Sequence, residues 1–275
     1  MLIKRVITGV LGILLTIYVV TVGGWLFGGA ILLLALAAWY EFCRAFSHMN
    51  LHLCRWLGGI AIILIISSMW LGNESEVLAI IMLTVLIVLA KSVFNHNTFS
   101  INEACISVCG IFYIGLAFGH IILLRFIAGN EIILTPNGFI PIGCAFIWLA
   151  FIGTWASDTF AFFVGTKFGK HKLCPAISPG KSREGFVGGI VGTAICLAGL
   201  GYLFALSLVH MIILGILVAL IATLGDLVES SFKRLTGIKD SGQILPGHGG
   251  VLDRFDSLLF TVPLVYYYVQ IFSLY

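Results

Sequence analysis

The chain concentrates its charge in one polar segment, Asp226 to Ser257, which lies between two apolar runs, Met211 to Leu224 and Leu258 to Leu274. A charge at the centre of a membrane-spanning helix costs about 2.5 to 3.5 kcal/mol on insertion scales, so such a cluster indicates a functional site. Its ionisable residues are Asp226, Glu229, Lys233, Arg234, Lys239, Asp240, His248, Asp253, Arg254 and Asp256.

The spacing within this segment predicts a cation site beside an anion-binding loop. If the helix of the first apolar run continues through Arg234, then Asp226, Ser230 or Glu229, and Lys233 share one helix face. The glycine-rich stretch that follows breaks the helix and offers bare backbone amides to an anion. Asp253 and Asp256 are expected at the start of the next helix. Carboxylates on both sides of the loop favour a divalent cation, because magnesium prefers oxygen ligands and phosphate oxygens.

A second polar stretch, from Lys167 to Gly185, alternates basic residues with glycine, proline and serine. Lys181 and the hydroxyl groups of Ser178 and Ser182 can bind phosphate oxygens, and Ser182 or nearby residues are expected to open the following helix at its anion-favouring end. The alternative is that the stretch serves only as a basic topology signal.

Two single residues have a functional and a structural interpretation. Asp158 lies in the apolar run before this stretch, where a carboxylate indicates either a functional group or a salt bridge with a lysine of the next loop. His248 stands between two glycines, with no cysteine or second histidine nearby. It is therefore expected to hydrogen-bond a phosphate or the loop rather than to bind zinc.

The elements that must hold these residues are membrane helices. The chain is 60% hydrophobic and 10% charged, whereas soluble domains are about 25% charged. We therefore predict an all-α polytopic integral membrane protein with about nine transmembrane helices, the first of them an uncleaved span. The apolar runs are Val6 to Val22, Trp25 to Tyr40, Trp56 to Leu71, Val77 to Ala90, Ala104 to Leu124, Phe139 to Val164, Phe186 to Val209, Met211 to Leu224 and Leu258 to Leu274.

The distribution of basic residues predicts the orientation. With the amino terminus in the cytoplasm, Arg125 is the one residue among the fifteen lysines and arginines that falls outside, in agreement with the positive-inside rule. Both polar stretches then face the cytosol. We divide the chain into N-terminal helices, 1–135, with about five spans, and a C-terminal catalytic region, 136–275. The net charge of +3 is too small to favour nucleic acid as a partner.

The polar segment resembles the signature of the phosphatidate cytidylyltransferases. An upstream motif, Ser178-Pro179-x-Lys181-Ser182-x-Glu184-Gly185, is also similar to that family, with Ser182 where threonine is usual and Arg183 where tryptophan is common. The first five spans resemble the family in hydropathy and number rather than in motif. The matching signature positions are Ser230, Phe232, Lys233, Arg234, Lys239, Asp240, Gly242, Leu245, Pro246, His248, Gly249, Gly250, Asp253, Arg254, Phe255 and Asp256.

This resemblance implies a membrane enzyme that joins CTP to phosphatidic acid, giving CDP-diacylglycerol and pyrophosphate. It implies Mg2+ with K+ as a candidate companion, metal-binding carboxylates at Asp226 and Asp253, and Asp256 as a candidate third ligand. The expected partners are CTP, phosphatidic acid and the bilayer, with a homodimer left open. The expected location is the inner or plasma membrane, with a cytoplasmic site. The catalytic set is Asp226, Lys233, Arg234, Lys239, Asp253 and Arg254, and the substrate-binding set is Ser178, Lys181, Ser182, Ser230, His248, Gly249 and Gly250.

Two other functions stay open on the sequence. In an ion-coupled transporter, Asp158, Asp226 and Asp253 would form a pathway across the membrane. A CTP-dependent lipid kinase would attack the terminal phosphorus of CTP instead of the α-phosphorus, and would release CDP instead of pyrophosphate.

Overall fold

The computed structural model describes residues 2–129, 131–135, 138–242 and 249–275. Within these ranges the chain is predominantly helical and contains two short antiparallel hairpins. The elements are α1 (Leu2–Val22), α2 (Gly24–Ser47), α3 (Arg55–Leu71), α4 (Glu74–Phe94), α5 (Ile101–Arg125), β1 (Ile132–Thr135), β2 (Gly138–Pro141), α6 (Ile142–Phe168), β3 (Lys172–Cys174), β4 (Ser178–Ser182), α7 (Arg183–Leu203), α8 (Leu208–Thr236), α9 (Leu252–Phe255) and α10 (Leu258–Ile271).

The chain folds as two compact units. The first unit comprises Met1–Leu123 and Lys233–Phe255, and the second comprises Leu124–Phe232 and Asp256–Tyr275. The polar segment Asp226 to Ser257 therefore contributes residues to both units.

The core of the first unit is formed by α2, α3 and α5. Ile62 and Ile65 of α3 and Ile111 and Phe118 of α5 are fully buried. The rings of Phe118 and Phe255 lie 5.3 Å apart, so the short helix α9 packs on α5. The apolar contact between α5 and α9 stabilises the carboxyl-terminal end of the segment Lys233–Phe255.

The core of the second unit is formed by α6, α7, α8 and α10. Helix α7 packs along α6. The hydroxyl groups of Thr154 and Thr261 lie 2.8 Å apart in the buried contact between α6 and α10. This hydrogen bond satisfies two polar groups inside an otherwise apolar interface, where an unpaired hydroxyl would be costly.

Six helices among the described residues are long and apolar enough to cross a membrane, namely those at 24–47, 75–94, 101–125, 142–168, 183–203 and 208–236. The remaining apolar helices, Thr8–Val22, Arg55–Leu71 and Leu258–Ile271, are shorter. Large apolar side chains such as Leu33, Leu83 and Ile195 are exposed on these helices. An integral membrane protein explains that exposure, because lipid replaces water around such side chains. The nine spans and the cytoplasmic amino terminus stay predictions.

The two hairpins were not predicted. The interpretation of Phe139 to Val164 as one run is wrong at its start, because Gly138–Pro141 forms β2 and the helix runs from Ile142 to Phe168. The stretch between α6 and α7, expected to be a loop, contains the β3–β4 hairpin with Lys172 opposite Ser182.

Candidate active site

A cavity of about 500 Å³ opens in the second unit, bordered by α6, the β3–β4 hairpin, α7 and α8. Asp158 from α6, Lys181 and Ser182 from β4, and Asp226 from α8 all line it. Its volume is within the range of roughly 300 to 1,000 Å³ that small-molecule sites occupy. The structure thus brings residues of both predicted polar stretches to one cavity.

An ion pair between Lys181 and Asp226 lies in the lining of this cavity. The Lys181 Nζ lies 2.6 Å from the Asp226 Oδ2, and the two side chains are 24% and 31% exposed. Ser230, one turn along α8, donates a hydrogen bond of 3.2 Å to the Asp226 Oδ1. Helix α8 continues through Arg234 to Thr236, as predicted. The hydrogen bond confirms that Asp226 and Ser230 lie on the same face of this helix.

The hairpin that carries Lys181 is fixed at both ends. Ser182 caps α7 as predicted, because its Oγ accepts a hydrogen bond of 3.1 Å from the backbone N–H of Gly185. The Glu184 carboxylate accepts hydrogen bonds from the backbone N–H groups of Lys170 and His171 and pairs with the His171 ring at 2.6 Å. Ser178 lies half-buried at the opposite end of β4. These contacts hold the Lys181 backbone beside α7.

Asp256 belongs to the same unit as Asp226. The backbones of α8 and the chain before α10 approach closely at Gly225, where an added Cβ would lie 2.8 Å from the Asp256 carbonyl oxygen. The prediction that Asp253 and Asp256 open the same helix is wrong, since Asp253 lies in α9 and Asp256 follows that helix. The Asp256 Oδ1 accepts a hydrogen bond of 2.6 Å from the Ser257 N–H.

Asp253 lies in the first unit, and its carboxylate is surrounded by donors. Its Oδ1 is 3.0 Å from the Lys233 Nζ, and the Asp253 side chain is only 6% exposed. Its Oδ2 accepts hydrogen bonds from the Ser241 N–H at 2.9 Å, the Ser241 hydroxyl at 3.0 Å and the Gly250 N–H at 2.8 Å. Asp253 therefore ties together the chain on both sides of residues 243–248.

Glu41, at the end of the second apolar run, was missed by the sequence interpretation. It is 1% exposed. Its Oε1 accepts a hydrogen bond of 3.0 Å from the Val251 N–H, and its Oε2 accepts from the Leu252 N–H at 2.9 Å and the Ser241 hydroxyl at 3.2 Å. The available signal was an isolated acid bordering an apolar run, which is a functional hypothesis by default.

The other predicted residues of the first unit are less enclosed. Arg234, Lys239 and Arg254 are exposed. Gly249 has a φ of 87°, a conformation that favours glycine. His248 lies outside the described residues.

Among the described residues, no three His, Cys, Asp or Glu side chains are grouped so that they could hold a metal ion by themselves. Two carboxylates, Asp158 and Asp226, line the cavity of the second unit, where the Lys181 ammonium already lies against one of them. Magnesium is usually bound through one or two carboxylates together with substrate phosphates. The two carboxylates of this cavity therefore fit as ligands of a magnesium ion whose remaining ligands would be water and substrate phosphates.

The fold is that of a helical membrane protein, and its second unit contains a cavity lined by a lysine and two aspartates. The sequence pattern of the "Cytidylyltransferase family" matches residues 3–272, and the chain belongs to that family. It is 35% identical over 280 residues to a phosphatidate cytidylyltransferase of Bacillus subtilis (strain 168), with 98% of each chain covered. It is 33% identical over 267 residues to a phosphatidate cytidylyltransferase of Staphylococcus haemolyticus (strain JCSC1435), with 95% of this chain and 96% of that one covered.

Another relative is a phosphatidate cytidylyltransferase of Staphylococcus saprophyticus, with 41% identity over 181 residues and 65% and 64% of the two chains covered. These relationships confirm the predicted enzyme class, a nucleotidyltransferase, and set the transporter alternative aside.

Proposed function

We propose that the chain transfers the cytidylyl group of CTP to phosphatidic acid, giving CDP-diacylglycerol and pyrophosphate. The names of its relatives support the two substrates. The Lys181–Asp226 ion pair inside the cavity supports the site most directly, because it places a cation and a carboxylate where a triphosphate can be bound.

In the proposed reaction, a phosphate oxygen of phosphatidic acid forms a bond to the α-phosphorus of CTP. The bond from that phosphorus to the oxygen bridging to the β-phosphate breaks, and pyrophosphate leaves with the electron pair. The nucleophile is a phosphate monoester with a second pKa of about 6, so it is already largely ionised at neutral pH. The enzyme therefore needs to align two polyanions and offset their charge rather than remove a proton.

The residues of the cavity supply this alignment. Lys181 binds a phosphate oxygen of the nucleotide, and the amino-terminal end of α7, capped by Ser182, favours negative charge nearby. Asp226, with Asp158 as a further carboxylate of the same cavity, would hold Mg2+, which would offset phosphate charge and polarise the α-phosphoryl group. Asp256 as a further ligand stays a prediction. Asp253 as a second metal ligand, and K+ as a companion ion, stay predictions.

The roles of the first-unit residues stay predictions. These are neutralisation of the substrate phosphates by Lys233, Arg234, Lys239 and Arg254, and binding of the leaving pyrophosphate by backbone amides at Gly249 and Gly250. The Gly250 N–H donates to Asp253 in this structure, so it would have to exchange that partner for pyrophosphate. We expect the site to open to the cytoplasm, where CTP is present, and to the headgroup level of the leaflet, where the lipid phosphate lies.

Product analysis tests this reaction against the kinase alternative. Detergent-purified protein is incubated with CTP, phosphatidic acid and Mg2+, and the soluble products are separated. We expect pyrophosphate in a one-to-one ratio with CDP-diacylglycerol, and neither product without phosphatidic acid. Release of CDP together with a diphosphorylated lipid would instead show attack on the terminal phosphorus and would contradict the proposal.

A further inference from the structure

The predicted anion-binding loop of the first unit is flanked by Ser241 on one side and by Val251 and Leu252 on the other. These flanking residues are bound by a carboxylate that lies far away in the sequence. Glu41 is part of α2, and it contacts this loop on both sides of residues 243–248. On one side the Glu41 carboxylate accepts a hydrogen bond from the Ser241 hydroxyl, and on the other it accepts hydrogen bonds from the backbone N–H groups of Val251 and Leu252. A single side chain therefore holds together the residues that flank 243–248, namely Ser241, Val251 and Leu252, which form the stem of the predicted loop.

The loop is shaped to admit this carboxylate. A Cβ added at Gly250 would come within 2.5 Å of the Glu41 Oε2 and would also overlap the Ser241 hydroxyl. A Cβ added at Gly242 would likewise overlap the Glu41 carboxyl group. A side chain at either glycine would therefore have to displace the Glu41 carboxyl group, which passes directly over their backbone.

Glu41 and Asp253 share one donor. The Ser241 hydroxyl lies 3.2 Å from the Glu41 Oε2 and 3.0 Å from the Asp253 Oδ2, and the Gly250 N–H binds Asp253 immediately before Val251 binds Glu41. The position of Asp253 is consequently coupled to that of Glu41 through Ser241 and through the backbone of residues 250–252. Displacing one carboxylate removes a support of the other.

We propose that Glu41 is a positioning residue of the enzyme, which fixes the stem of the loop and so sets the orientation of Asp253 and of the Gly249 and Gly250 amides. This inference rests on the proposed function for its kinetic consequence. Glu41 itself acts through the loop, and its structural consequence can be measured independently of any activity.

The test replaces Glu41 by glutamine in the full-length protein. Glu41→Gln keeps the shape of the side chain but turns one acceptor into a donor, which then faces a backbone N–H or the Ser241 hydroxyl. We expect kcat to fall between about tenfold and 100-fold, the range seen when groups that orient ligands are removed. The KM for CTP should change much less. Hydrogen–deuterium exchange of the 249–255 segment should become about tenfold faster, because backbone hydrogen bonds are weakened.

The matched control is Glu103→Gln. Glu103 is also buried in the first unit, at 6% exposure, and it also accepts two backbone hydrogen bonds, from His52 and Ser100, each 2.6 Å long. We expect faster exchange around those two residues, with kcat and the exchange of residues 249–255 unchanged. A fall in kcat equal to that of Glu41→Gln would show a general loss of packing and would overturn the inference.

Wild-type kcat and wild-type exchange in Glu41→Gln would also overturn it. If that variant does not yield folded protein, Glu41→Asp serves instead, since it retains the charge but withdraws the carboxyl group from both N–H groups. The same pair of results, lower kcat with faster exchange, is then expected, and wild-type values for both would overturn the inference. If the wild-type protein makes no CDP-diacylglycerol, the proposed function fails, whereas the exchange comparison still decides the role of Glu41.

Discussion

The two units each contain an aspartate of the polar segment, and the two aspartates have contrasting environments. Asp226 is 31% exposed, lines a cavity and contacts Lys181 and Ser230. Asp253 is 6% exposed and is bound by Lys233, by Ser241 twice and by Gly250. A carboxylate in a cavity can exchange its partners for a ligand, whereas one enclosed by backbone donors stabilises the chain around it. We therefore propose that Asp226 contributes mainly to binding and chemistry and that Asp253 also stabilises the chain on both sides of residues 243–248.

The largest effect is expected for Asp226→Asn. Removing the negative charge from the cavity should lower kcat by about 100-fold to 1,000-fold, the range found for loss of a single electrostatic group in other active sites. The thermal midpoint should stay close to that of the wild type, because Asp226 is partly exposed. Glu131→Gln, which changes an exposed acid in the same unit, should leave both values unchanged. Normal turnover by Asp226→Asn would remove the basis for the metal assignment.

Asp253→Asn separates the two aspartates most clearly. It should lower kcat and also destabilise the protein by about 2 kcal/mol, because one partner of a buried pair is lost and a buried backbone donor faces an amide group. The measurements are turnover at saturating substrate and the thermal midpoint in detergent. Loss of activity at unchanged stability would show that Asp253, like Asp226, contributes to activity alone and does not stabilise the first unit.

Lys181→Ala should mainly weaken nucleotide binding. Removing this ammonium group is expected to raise the KM for CTP about tenfold, which corresponds to about 1.4 kcal/mol. Lys172→Ala, an exposed change in the same hairpin, provides the matched control. An unchanged KM in the Lys181 variant would show that this residue does not bind the nucleotide.

The smallest chemical change is the addition of a single methyl group at Gly250. Gly250→Ala should destabilise the protein by about 1 to 3 kcal/mol, as overpacking of a close contact usually does, because the new Cβ overlaps the Glu41 carboxyl group and the Ser241 hydroxyl. Gly59→Ala in α3 meets its nearest neighbour, Leu36, at 4.0 Å and should be tolerated. Equal thermal midpoints for the two variants would contradict the close approach of Glu41 to the loop.

Local patterns in the sequence predicted much of the second unit's site. The three- and four-residue spacing predicted a helix that carries Asp226 and Ser230, and the sequence around Ser182 predicted the cap of α7. Both features depend on residues within one or two helical turns, where side-chain directions follow directly from the backbone. Apolar runs likewise predicted the helices, because a bilayer requires long apolar segments.

The sequence could not show which distant residues meet. Glu41 binds donors that lie about two hundred positions later in the chain, a pairing that depends on how α2 packs rather than on any local pattern. The β3–β4 hairpin was missed because its strands are only three and five residues long, and β4 carries proline and glycine instead of an alternating apolar pattern. Strand β2 was missed because its apolar residues continue directly into α6.

The most direct test of the central claim is the incorporation of α-labelled CTP into lipid by wild-type protein and by Asp226→Asn, measured side by side with phosphatidic acid and Mg2+. We expect labelled CDP-diacylglycerol from the wild type, loss of the signal with EDTA, and at most about one hundredth of the rate in the variant. Equal labelling by the two proteins would show that the cavity around Asp226 does not carry the reaction. No labelled lipid from folded wild-type protein would contradict the proposed function itself.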